Sequence, residues 1–166
     1  MSSRAVAAGL AGGLLGGLAG AAVMSAAHAR LTRAGLLDPP SPREREEDAT
    51  ARVADTLSRI VRGRPLAQDG RMTAASGVHY GFGGALGLVY GTMAAVAPRA
   101  TAAGGLGFGA AVWLGAHVVA VPALGLAPAP WQRPPRNEGA ELALHLAYGA
   151  TVALVRRAVV AIAGRR

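Results

Sequence analysis

The chain has no cysteine, and all of its basic side chains are arginine. Without thiols it can form no disulfide, hold no thiolate-bound metal and use no cysteine nucleophile. Aromatic residues are scarce, at two Phe, two Trp and three Tyr, so packing must rest on Ala, Gly, Leu and Val. Charged residues make up only 16% of the 166 positions, against about a quarter in soluble domains. Common catalytic signatures are missing as well. Gly83-x-x-x-Gly87 is not followed by Gly-Lys-Ser/Thr, and the glycines at 105, 107 and 109 lie in an apolar run with no strand before them, so neither is a phosphate or dinucleotide loop. The sequence holds no Gly-x-Ser-x-Gly elbow and no His-x-x-x-His pair. A non-enzymatic protein without a cofactor is expected.

What remains is long apolar runs. Hydrophobic residues reach 52%, and they concentrate in stretches 5–29, 72–98, 100–132 and 138–155, each carrying one histidine: His28, His79, His117 and His145. A hydrocarbon core of about 30 Å takes roughly 20 apolar helical residues to cross. The reading is an all-α protein, a four-transmembrane-helix bundle in one integral membrane domain, 1–166, with spans at about 5–29, 73–97, 101–126 and 138–157 and the lipid bilayer as its partner. Arg4, an apolar run and Ala27-His28-Ala29 resemble a cleaved signal, but the run is long and Gly-rich, so a retained span is expected. The net charge of +8 sits at the ends of these runs, where topology and anionic headgroups favour arginine. Nucleic acid is not an expected partner.

The first run places Gly9, Gly13 and Gly17 on one helical ridge and Gly12, Gly16 and Gly20 on another; Gly83, Gly87 and Gly91 repeat the spacing in the second. Small residues four apart let helix backbones approach closely. The polar segment 30–71 turns at Asp38-Pro39-Pro40-Ser41-Pro42 and passes a mixed-charge run at 43–48. It then sets Ala49, Val53, Leu57, Ile60 and Val61 at helical spacing, the pattern of an amphipathic helix on the membrane surface or on the bundle. Pro98-Arg99 predicts a tight hairpin between the second and third spans, Pro122 a kink, and Trp131 an interfacial anchor. An internal echo links the Gly-Leu-Leu at 35–37 after His28 to the Gly-Leu-Ala at 125–127 after His117. It predicts two helix–turn–helix copies of the same polarity, as in parallel transporter repeats.

Antiparallel order brings His79, His117 and His145 to similar depths on one side, at roughly 12–15 Å from the span ends. His28 joins them if its helix continues toward Leu37. Glu141 and His145 lie one turn apart on one face, preceded by Glu138. Intramembrane ionisable groups face the bundle interior or water, and histidine titrates near neutrality. His79, His117, His145, Glu141 and His28 are therefore the candidates for a pH-responsive or proton-relaying layer. Neutral histidine can also serve as polar glue between helices, bonding Ser76, Tyr80, Thr92 or Tyr148. A zinc site on His79, His117 and His145, making a metal-dependent membrane enzyme, is a further alternative.

The tail from 121 to 157 carries Pro122, Gly-Leu-Ala-Pro-Ala-Pro-Trp at 125–131, Glu138, Glu141, His145 and Arg156-Arg157. With Pro39-Pro40, Arg43-Glu44 and His79-Tyr80, these residues resemble the YagU-like family of small bacterial inner-membrane proteins. That resemblance implies a multi-pass inner-membrane location and no assigned reaction. Eleven arginines fall on the side of the two Pro-rich loops and six on the side of the termini, which favours cytoplasmic loops. Two functional readings follow: a pH-responsive or proton-relaying membrane protein, and a structural or assembly protein whose Gly-xxx-Gly faces build a homo-oligomer.

Overall fold

The computed structural model describes residues 3–38, 48–101 and 103–165. The prolines at 39–42 and the mixed-charge run up to 47 lie outside the described residues. Among the described residues the chain is helical, with no strand. Helix α1 spans Ser3–Arg33, α2 Ala49–Arg62 and α3 Gln68–Val96. Helix α4 opens as Leu106–Val112, widens into a π-helix over Trp113–Ala120 and closes at Val121–Ala123. Helix α5 runs Pro135–Ala163.

Glycine decides how these helices meet. Helix α1 lies between α3 and α5, antiparallel to both, and uses one ridge for each. Gly13 and Gly17 sit on Gly87 and Gly83; a Cβ at Gly87 would stand 2.7 Å from the Gly17 Cα. Gly12, Gly16 and Gly20 sit on Arg156, Val152 and Tyr148; a Cβ at Gly16 would stand 2.8 Å from the Val152 carbonyl oxygen. With Gly9, which faces the Arg156 side chain, all six ridge glycines of α1 meet a neighbour inside the chain. Helix α4 approaches α5 through a matching crossing of Gly105 on Gly149 and Gly109 on the His145 backbone.

The inside is built from small residues and three rings. Tyr90, Phe108, Tyr148, Val152 and Ala153 form the core cluster, with Tyr90 and Phe108 centroids 5.0 Å apart. Large aliphatic side chains point outward, among them Leu15, Val89, Leu114 and Leu154. A water-soluble bundle has the opposite arrangement; small residues inside and large apolar ones outside suit helices solvated by lipid.

Three helices are long and apolar enough to cross a membrane: Arg4–Arg33, Leu106–Ala123 and Pro135–Ala163. Four were expected. Helix α3 has the length, at 29 residues, but with Asp69, Arg71, His79, two tyrosines and many glycines it is not among the helices apolar enough to cross. The third span also starts later than the expected 101. A 3₁₀ turn at Pro98–Thr101 leads to Gly104 and Gly105, both at positive φ, so the hairpin is longer than a Pro-Arg turn. Just before Pro122, where a kink was expected, the helix widens. Proline offers no N–H to the Val118 carbonyl and crowds it, and the π-helix before it relieves that clash.

The echo at 35 and 125 has a structural counterpart. Helices α1 and α4 both end at a positive-φ glycine, Gly35 at 68° and Gly125 at 66°. Each is closed by the same pair of bonds, Gly35 N–H to Thr32 O with Leu36 N–H to Leu31 O, and Gly125 N–H to Pro122 O with Leu126 N–H to Val121 O. The two glycine carbonyls are then clasped reciprocally: Arg136 of α5 donates to Gly35 O at 2.7 Å, and Arg52 of α2 donates to Gly125 O at 2.8 Å.

Candidate functional site

Between α1, α3, α4 and α5, at the end of the bundle where Gly35 and Gly125 close α1 and α4, lies a cavity of about 610 Å³. All four histidines of the chain line it, together with Glu141. Each helix contributes one imidazole.

Their hydrogen bonds fix where the ring protons sit. His79 Nε2 lies 3.3 Å from the Ala21 carbonyl, and His145 Nδ1 lies 2.7 Å from the Glu141 carbonyl one turn earlier in α5. A carbonyl only accepts, so each of those nitrogens carries a proton. The other nitrogen of each neutral ring is left as an acceptor. His117 Nε2 donates to Glu138 Oε2 at 2.8 Å, while the second oxygen of Glu138 stands 3.7 Å from Arg133 Nη1. His28 Nε2 is 3.9 Å from Glu141 Oε1. The His117 and His145 ring centroids are 5.9 Å apart.

The predicted layer is thus staggered. His79 and His145 stand deeper, while His28 and His117 stand nearer the loop end, against the two carboxylates of α5. His28 reaches the cavity because α1 continues to Arg33. The π-helix carries His117, and Trp113 stacks on its ring at 6.4 Å with 21° between the planes. Gly109 lets the α4 backbone close on α5 beside His145. Among the described residues no group of three or more His, Asp or Glu side chains is placed to hold a metal ion. Trp131 is 76% exposed in a 3₁₀ turn, Pro130–Gln132.

The deep wall is closed. Tyr148 donates to the Gly83 carbonyl at 2.6 Å, and beyond it lie the Tyr90–Phe108 pair and Val152, which is fully buried. Sequence reasoning left Glu138, Arg133 and Asn137 out of the site. Glu138 was detectable, three residues before Glu141 on a neighbouring face. Arg133 lies in a Pro-rich turn with no periodicity to place it, and its contact with Glu138 exists only in the fold.

These features define a helical bundle of membrane-capable helices around a histidine-lined cavity. The chain belongs to the family described as "Protein of unknown function (DUF1440)", whose model matches residues 39–154. The match covers α2 to α4 and most of α5, with His79, His117, His145, Glu138 and Glu141; α1 and His28 precede it. No curated protein and no solved structure matches the chain.

Proposed function

We propose that this is a four-crossing, multi-pass inner-membrane protein that responds to pH through the His/Glu cavity, without enzymatic chemistry. The YagU-like resemblance supports the inner membrane, and the arginine distribution supports loops on the cytoplasmic side. Packing supports the fourth crossing: α3 lies along the membrane-capable α1 from Gly91 to Gly83, so hydrocarbon around one surrounds the other.

The observation that carries the function is the meeting of all four imidazoles and Glu141 in one cavity, with Glu138 bonded to His117 behind its wall. The closed deep wall favours sensing over relay. Beyond Tyr148 the described core holds Tyr90, Phe108, Val152 and Ala153, with no imidazole or carboxylate among them to take a proton onward. Charging His117 and His145 together would place two unit charges at about the separation of their rings. At an effective dielectric of about 20 this repulsion is roughly 3 kcal/mol, enough to shift how the helices pack around the cavity.

The test is thermal stability in detergent across pH 5–8, where unperturbed histidine titrates. The parent protein should change with pH. The His79→Gln/His117→Gln double variant keeps an Nε2–H donor at each place but cannot titrate, and should give a flat profile. Proteoliposomes of the parent should show no proton leak above lipid alone. A parent profile as flat as the variant's refutes the reading.

A further inference from the structure

Helix α2 buries the side that its composition does not favour. Its face on the bundle is Ala51, Ala54 and Ser58, while its large apolar residues are left outside: Leu57 is 51% exposed, Ile60 75% and Val61 79%. At 100° per residue the helix has three faces. Ala51, Ala54 and Ser58 point at α3. Val53, Leu57, Ile60 and Val61 centre roughly 110° to one side, and Arg52, Thr56, Arg59 and Arg62 roughly 110° to the other. The apolar and arginine faces therefore lie about 140° apart, with the arginines flanking the polar side.

The height of α2 is fixed by contacts. Asp48 caps it, accepting from Ala51 N–H at 2.9 Å. Asp55 pairs with Arg71 in the first turns of α3 at 3.3 Å. Arg52 holds the Gly125 carbonyl just past the end of α4, six residues before the exposed Trp131. Those are the levels at which the apolar helices end, which is where headgroups lie.

We infer that α2 is an in-plane anchor for an anionic lipid leaflet, with Leu57, Ile60 and Val61 in the acyl boundary and Arg59, Arg62 and Arg64 on phosphate headgroups. The three exposed arginines beside an unpartnered apolar stripe match anionic lipid in charge and in polarity. The inference rests on the membrane reading and is independent of the pH response.

Because the chain is free of cysteine, single-cysteine labelling tests it directly. Val61→Cys, Thr56→Cys and, as a control in α1, Leu15→Cys carry an environment-sensitive fluorophore in vesicles of phosphatidylcholine with or without phosphatidylglycerol. The label at 61 should be quenched by nitroxide-bearing lipid and protected from aqueous iodide; the label at 56 should behave in reverse. Phosphatidylglycerol should increase the lipid quenching at 61, and Arg59→Gln/Arg62→Gln should abolish that increase. Equal iodide quenching at 61 and 56 would make α2 a solvated linker, and shielding of 61 from both quenchers would mean a protein covers it. Either result, or a lipid dependence that survives loss of the arginines, overturns the inference. Lipid quenching at Leu15 with none at 61 sinks the α2 inference alone, while failure at both sinks the membrane reading beneath it.

Discussion

Glycine sets distances in this protein, residue by residue. At Gly17 any side chain would strike the Gly83 carbonyl, whereas at Gly77, in the same bundle, a Cβ meets nothing within 4 Å. Gly17→Leu should therefore cost more than the roughly 1–3 kcal/mol of ordinary overpacking, because the obstacle is backbone and cannot change rotamer. Gly77→Ala should be neutral or stabilising by about 0.5–1 kcal/mol, since it removes backbone freedom inside a helix. Thermal unfolding in detergent separates the two; equal effects would mean that α1 and α3 do not pack through this ridge. The four-residue spacing was visible in the sequence. Which neighbour each ridge meets was not, because spacing specifies a face and says nothing about what lies opposite. Exposure was misleading in α2: its helical period was legible, but Ala51, Ala54 and Ser58 became its packing face because small residues fit closely against α3.

At the scale of elements, the π-helix in α4 is the feature that the sequence hid most completely. Apolar periodicity cannot distinguish 3.6 from a wider turn over eight residues, and Pro122 signals a disturbance without its form. The π-helix carries His117, whose Nε2 meets Glu138. Pro122→Ala restores an amide for the Val118 carbonyl and should let α4 rewind. His117 would then turn away from Glu138. Histidine side-chain NMR can read this as a coupling: Glu138→Gln should move the His117 ring-nitrogen chemical shifts in the parent and leave them in place in the Pro122→Ala background. An unchanged coupling would show that another constraint holds the π-helix. The late start of α4 has a similar cause, as Gly104 and Gly105 at positive φ end the run that hydropathy alone carried back to 101.

For the molecule as a whole, the two halves repeat one design. A helix bearing a histidine ends in a glycine cap, and a Pro-rich loop follows. A later helix then returns with a second histidine and crosses the first at paired glycines, Gly17 on Gly83 and Gly105 on Gly149. Arg52 and Arg136 each clasp the other half's glycine cap, and the cavity lies where the halves face each other. Ligand and ion sites in repeat-built membrane proteins occupy that position. The echo at 35 and 125 made the repeat readable, but the reciprocal clasps were beyond reach, since they join arginines to main-chain oxygens far away in sequence.

The central claim is that protonating the imidazoles changes how the halves sit around the cavity. The most direct measurement is the distance between spin labels at Leu36 and Leu124, exposed positions just beyond the loop-side ends of α1 and α4, taken from pH 8 to pH 5 in proteoliposomes. The account predicts that the distance distribution lengthens as the pH falls through the histidine range, and that His79→Gln/His117→Gln holds it at its pH 8 value throughout. A parent distribution that stays the same from pH 8 to pH 5 would contradict it.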